Sequence, residues 1–302
     1  MDNSSPLVSC PFLLCPICGQ PLAPSQDGNA LACPRRHSFD VAREQYVNLL
    51  LKKASADTKE MVQARRQFLV GGHYAPLADQ INEIVSRYLS ETVLPIDADI
   101  SPIHSSQACI AMLDAGCGEG YYLGQLQRYL NAALPGLSCR YVGIDSSKEA
   151  IRMAARHYKD ICFLVASIKE PLPIASECIQ VLLNIFAPRN TAEFARVLPP
   201  GGLLLVVIPG PTHLQPLRER LSLLHIEEDK QRHVIQQFAP CFALRDTFSL
   251  TYRLPLDRQA IAHLVRMTPS YWHLTGQARL AIEHIEDVQT EIAFIGLVFI
   301  KQ

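Results

Sequence analysis

Residues 112–122, Met-Leu-Asp-Ala-Gly-Cys-Gly-Glu-Gly-Tyr-Tyr, constrain this chain more than any other stretch. An apolar run ends in Asp114, Gly116, Gly118 and Gly120 follow at alternate positions, and a helical pattern begins near Tyr122. Strand, glycine turn and helix in that order open a doubly wound α/β domain. Glycine lets the backbone approach a ligand where a side chain would collide with it. The spacing Gly-x-Gly-x-Gly departs from the Gly-x-Gly-x-x-Gly of dinucleotide binders, which argues against nicotinamide and flavin cofactors.

A second apolar run, Tyr-Val-Gly-Ile-Asp, closes on Asp145. Its separation from the glycine turn is that at which such folds place a carboxylate that accepts hydrogen bonds from ribose hydroxyls. Together the two stretches resemble motif I and the acidic strand end of class I S-adenosylmethionine-dependent methyltransferases. The resemblance implies a class I (Rossmann-like) α/β domain and S-adenosyl-L-methionine as cofactor. Asp114, Gly116 and Gly118 then lie on the methionine side with Glu119 beside them, Asp145 on the ribose, and Ala166 and Ser167 near the adenine.

The periodicity predicts strands over 110–115, 140–145, 161–166, 179–185 and 203–208, with helices over 122–130, 148–158 and 191–197 between them. Closing strands are expected over 242–254 and 290–300, and helices over 60–69, 77–89, 212–224 and 258–267. Gly71 and Gly72 should stop the first of these. Residues 54–59 read as a linker and 95–107 as a turn-rich connection.

Cys15-Pro-Ile-Cys18 and, later, Cys33-Pro-Arg-Arg-His37 form a second constellation. Cys15, Cys18, Cys33 and His37 complete the four ligands and the spacing that a structural zinc ion prefers, with 25–29 as the tip of an intervening hairpin. A redox Cys-x-x-Cys pair would leave Cys33 and His37 unexplained. Cys10 falls outside the spacing. The remaining cysteines are scattered, several in apolar runs, which argues for a reducing compartment and against a disulfide framework. A module of this size has too little core to fold without its metal.

The chain has 302 residues with 28 Lys and Arg against 29 Asp and Glu, so its overall field announces no nucleic acid. Arg35 and Arg36 beside the second knuckle read either as ordinary surface or as phosphate contacts. No apolar stretch is long enough to span a bilayer and no secretory signal is apparent, so the expected location is cytoplasmic.

The order Cys-Pro-x-Cys, Cys-Pro-x-x-His-x-Phe-Asp (33–40), Tyr-Val-Asn-Leu-Leu (46–50), Met-Val-Gln-Ala-Arg-Arg-Gln-Phe-Leu (61–69) and Gly-His-Tyr (72–74) is similar to the RlmA (RrmA) family of ribosomal RNA guanine-N1 methyltransferases. The likeness continues through Phe-Ala-Pro (186–188), Pro-Gly-Pro-x-His-Leu ending at Leu214, and Met-Thr-Pro (267–269). It implies methylation of N1 of a guanine in a hairpin of 23S rRNA, one structural zinc per chain, and a homodimer whose paired zinc modules hold RNA. It also implies that Tyr74 and His213 reach the cofactor from outside the glycine turn. Division of the chain is expected at 1–52 (zinc module), 53–107 (linker and covering helices) and 108–302 (methyltransferase domain).

Asn184 and residues 186–188 follow the fourth strand and should face the methyl group, with Phe186 placed to stack on the base. No residue emerges as a general base. Gln180 stands near the start of that strand, where the family commonly has an acidic residue. Two alternatives remain open: a methyltransferase with another RNA or a small-molecule acceptor, and a zinc RNA-binding protein with a vestigial methyltransferase domain.

Overall fold

In a computed structural model of the protein, described for residues 6–7, 10–52, 57–92, 109–221, 229–268 and 287–302, one eight-stranded mixed sheet carries the fold. Its parallel centre comprises β5 (Ile110–Ala115), β6 (Cys139–Asp145), β7 (Cys162–Val165), β8 (Val181–Ile185) and β9 (Leu203–Pro209). Nearly every residue of these strands is buried, because helices or loops cover both faces. β11 (Val288–Lys301) runs antiparallel beside β9, and β10 (Phe242–Leu256) antiparallel beside β11. The order is β10-β11-β9-β8-β5-β6-β7-β4, where β4 is Tyr46–Asn48.

Alternate residues along the strands feed two separate cores. On one face Met112, Leu183 and Leu205 pack with α1 (Lys59–Val70), α2 (Ala75–Thr92), α3 (Tyr121–Ala133), α4 (Lys148–His157) and α8 (Arg258–Arg266). On the other, Leu113, Leu182 and Val206 pack with α5 (Thr191–Val197) and α7 (Lys230–Phe238). Local signals start these helices: Thr58, Ser147, Asn190 and Asp257 cap α1, α4, α5 and α8, each side chain accepting a first-turn N–H. Gly71 caps the end of α1, and Gly72 follows with φ +80°.

The expected strands and helices are present, with bounds moved by a few residues. The expected helix over 212–224 begins later, with α6 (Gln215–Leu221), and residues 222–224 lie outside the described residues. Half of the predicted linker, residues 54–56, falls outside them, the connection over 95–107 and Pro269 wholly so. Of that linker the described part is Asp57, Thr58 and Lys59, which lead into α1 or begin it. Helix α7 has no counterpart in the sequence reading.

The N-terminal module is built into the sheet. Its hairpin strands β1 (Ala23–Pro24), β2 (Ala30–Ala32) and β3 (Ser38–Asp40) form a small sheet, and 25–29 is the hairpin tip as expected. β4 then pairs parallel with β7. The connection from β7 to β8, residues 166–180, contains no helix. Leu13, Leu22 and Leu31 of the module fill that face instead, packed with Leu164, Leu172 and Ile174 in one core. Leu14 N–H donates to Pro173 O (2.9 Å) and Ala175 N–H to Phe12 O (2.8 Å), stitching the two segments together.

Candidate methyltransferase site and metal centre

A cavity of about 950 Å³ opens beyond the carboxyl ends of β5, β6, β8 and β9, beside the point where strand order reverses. Tyr74, Asp114, Gly116, Gly118, Glu119, Asp145 and His213 all line it, whereas Ala166, expected near the adenine, does not. Ser167 lines it as well, followed by Ile168 and Lys169.

The glycine turn is shaped by backbone and by one carboxylate. The N–H groups of Gly116 and Cys117 both donate to Ile144 O, at 2.8 and 3.0 Å. Gly118 N–H donates to Asp145 Oδ2 (3.0 Å) and Ser147 N–H to Asp145 Oδ1 (2.8 Å). Gly116, Gly118 and Gly120 have φ of +94°, +56° and +83°, in the region glycine favours. A β-carbon at Gly116 would stand 2.3 Å from Ala187 Cβ, so the turn after β5 and the turn after β8 are in contact.

Two buried carboxylates, Asp114 and Glu119, and the partly buried Asp145 surround this turn. Burial raises the pKa of Asp145, against the two N–H bonds that lower it. Asp114 is 1% exposed, and its pKa is pushed up to about 8 by burial and by the nearby charge of Asp145. Its Oδ1 has no hydrogen-bond partner. Glu119 is equally buried; Arg66 of α1 pairs with its Oε2 at 2.6 Å, while its Oε1 is unpartnered. Burial nevertheless leaves the Glu119 pKa raised. Arg66 also lies over the Tyr158 ring, 5.8 Å from its centroid. Arg65 pairs with Asp57, and both line the cavity. Arg66 and the Arg65–Asp57 pair are site features that the sequence reading missed.

Tyr74 and His213 form a pair across the cavity wall. Ala293 N–H donates to His213 Nδ1 (3.3 Å), which leaves the ring proton on Nε2, 3.3 Å from the Tyr74 hydroxyl. Burial, followed by the charge of Arg218, lowers the His213 pKa to about 3. The imidazole is therefore neutral at physiological pH and donates to Tyr74. The tyrosine O–H remains available as a donor.

Next to this pair, Phe186 adopts φ +53° and is 43% exposed, its ring 5.1 Å from that of Phe294, which packs against Tyr74 and His213. Asn184, expected to face the methyl group, is buried, and its amide points into the seam beneath the turn; Phe186, Ala187 and Pro188 line the cavity in its place. Gln180 lies at the other end of the strand, away from the cavity, where its Oε1 accepts Ala111 N–H at 2.8 Å. An amide oxygen suffices there, so the missing acidic residue bears on strand pairing.

In the N-terminal module the ligand atoms of Cys15, Cys18, Cys33 and His37 all lie within 4.8 Å of one another. Cys18 Sγ is 3.7 Å from Cys33 Sγ, and His37 Nδ1 is 3.5 Å from the sulfurs of Cys15 and Cys33. Tetrahedral zinc, with Zn–S of about 2.3 Å and Zn–N of about 2.0–2.1 Å, spaces its ligands about 3.8 Å (S to S) and about 3.6 Å (S to N) apart. These three separations match, and four protein ligands leave no open position, as in a structural site. Cys10 stays outside, donating to Pro6 O and packed beside Cys162.

Comparison with known proteins matches both parts of the chain. A family profile described as "RlmA, N-terminal" matches residues 13–54, and one described as "Methyltransferase domain" matches residues 106–239. A Streptomyces fradiae protein named 23S rRNA (guanine(748)-N(1))-methyltransferase is 37% identical over 264 residues, covering 87% of this chain and 86% of the relative. A Micromonospora griseorubida protein, provisionally described as a 23S rRNA (guanine-N(1)-)-methyltransferase, is 40% identical over 274 residues, covering 89% and 90%. Among solved structures, loganic acid methyltransferase with SAH superposes with a TM-score of 0.53 at 13% identity, over 83% of this chain and 98% of that one. That likeness concerns the fold alone. Glycine turn, acidic strand end, four-ligand knuckle and near full-length relatives concur: the chain belongs to the RlmA family of 23S rRNA guanine-N1 methyltransferases.

Proposed function

We propose that this protein transfers a methyl group from S-adenosyl-L-methionine to N1 of a guanine in a hairpin loop of 23S rRNA. It would act in the cytoplasm as a homodimer, with residues 1–52 contacting RNA, 53–107 covering the cofactor and 108–302 carrying the chemistry. The observation that carries this reading is the buried, unpartnered Oδ1 of Asp114 in the wall of a cavity that Asp145 and the glycine turn also line. A buried acceptor without a partner is costly and marks a place where a ligand donor fits.

The residues suit the cofactor. Asp145 has used one lone pair on each oxygen for a backbone N–H, so each keeps capacity for a ribose hydroxyl. Asp114 suits the methionine ammonium, and the Tyr74 hydroxyl, oriented by neutral His213, supplies one donor. The cofactor supplies an electrophilic methyl on a sulfonium. The protein's part is alignment, which contributes much of the rate when nucleophile, methyl and leaving sulfur are held in line. N1 lies on the Watson–Crick edge, so the guanine must be unpaired or extruded to enter. Phe186 offers the half-exposed ring on which such a base can rest.

Reverse transcription across 23S rRNA tests the reading, because a methyl at N1 blocks pairing and stops the polymerase. Cells expressing the protein should show one new stop in a hairpin loop, absent without the gene. Identical stops across the whole rRNA would refute the assignment.

A further inference from the structure

The turn after β8 holds an unfavourable backbone conformation, and one buried side chain fixes it. Phe186 has φ +53°, which a bulky residue adopts only where its surroundings over-determine it. Phe186 N–H donates to Val207 O (3.1 Å), tying the residue to β9. The rest of the hold comes from Asn184, 1% exposed, whose Nδ2 donates to Ala115 O at 3.0 Å and to Pro188 O at 2.8 Å. Turning the amide over would set its oxygen against two carbonyls, so the nitrogen belongs there.

Those carbonyls come from the ends of two neighbouring strands, β5 and β8, whose following turns both line the cavity. Ala115 ends β5 immediately before Gly116, on the side of Asp114 and Asp145; Pro188 closes the turn that carries Phe186. Both amide hydrogens are spent on joining them. The contact is tight, since a β-carbon on Gly116 would overlap Ala187. The Phe186 ring leans on Phe294, which in turn packs against Tyr74 and His213.

We propose that Asn184 is a positioning residue for the acceptor, its amide clamping the Phe186–Pro188 turn to the end of β5 and so setting the distance between base platform and methyl donor. The inference rests on the methyltransferase reading above. Asn184 touches neither reactant; it acts through Phe186. A misplacement of about 1 Å can cost about 10²-fold in rate, which makes such a clamp consequential.

Asn184→Asp keeps the shape and removes both amide hydrogens. Single-turnover methylation of a 23S rRNA hairpin should slow by about 10- to 100-fold. Affinity for S-adenosylmethionine, by calorimetry, should change by less than about threefold, since the donor side keeps its own contacts. Relative to the unaltered protein, the variant's rate should recover as pH falls, because a protonated carboxyl regains one donor. An unchanged rate, or affinity falling in proportion to rate, would overturn the proposal. Should Asn184→Asp fail to melt cooperatively, Asn184→Ser, which adds no charge and is too short to join both carbonyls, must show the same rate-without-affinity loss, and the same two results overturn it. Failure of the methyltransferase reading is distinct: the unaltered protein would then neither bind the cofactor nor methylate the hairpin.

Discussion

Replacing Asp145 by alanine isolates the anchor of the cofactor's sugar. The carboxylate accepts Gly118 N–H at 3.0 Å and Ser147 N–H at 2.8 Å, which orients it and leaves capacity for two further donors. Hydrogen bonds to a charged group contribute about 1.5–3 kcal/mol each. Two ribose hydroxyls therefore account for about 3–6 kcal/mol, a loss of about two to four powers of ten in affinity. Titration calorimetry with S-adenosylmethionine at pH 8 measures this directly, with melting temperature and zinc content as controls. Asp145→Asn, which keeps the shape without the charge, should lie between the two. A pH series adds a second readout. Burial raises the Asp145 pKa, so affinity should decline on acidification at a higher pH than an ordinary carboxylate would give, and the Asn variant should lack that slope. Less than about threefold weakening by Asp145→Ala would refute the placement of the sugar.

The ligand-free protein should lose stability as pH rises from about 6.5 towards 8; below that range neutral His213, which binds fewer protons folded than unfolded, offsets the effect of Asp114. Asp114, with its pKa pushed up to about 8, binds more protons folded than unfolded in that range; Asp114→Asn should flatten the slope and raise stability at pH 8 by on the order of a few kcal/mol, seen as a higher melting temperature, and equal slopes would refute it. For the metal, about one zinc per chain is expected by atomic absorption; Cys33→Ser should release it and speed hydrogen exchange at the β7 amides that pair with β4, whereas stoichiometric zinc in the variant would rule out that ligand set.

Much of this architecture was written in local patterns. Strands buried on both faces read as unbroken apolar runs, so β5, β6, β8 and β9 were legible nearly to the residue, as were the helices capped by Ser147, Asn190 and Asp257. Asp145 and the glycines were legible because their chemistry depends on spacing. Features depending on distant partners were not. Strand β4 has three residues and no alternation to betray it; only its pairing with β7 makes it a strand. Arg66 and Glu119 are 53 positions apart, so nothing local joins them. Tyr74 and His213 entered through family likeness alone, and the shared hydrogen bond that links them closes only in three dimensions. The left-handed Phe186 has no signature at all, since the residue type argues against the conformation it adopts.

The absence of a helix between β7 and β8 gives the zinc-bearing hairpins a second occupation. They roof a part of the sheet that the chain leaves bare elsewhere, and they hand it its last strand. A chain trimmed to its methyltransferase half would begin life with Leu164, Leu172 and Ile174 facing water and with β7 as a raw edge, the form in which sheets recruit one another into aggregates. In the full chain, metal loss that unfolds those hairpins would uncover the same surface, so zinc supply should govern solubility.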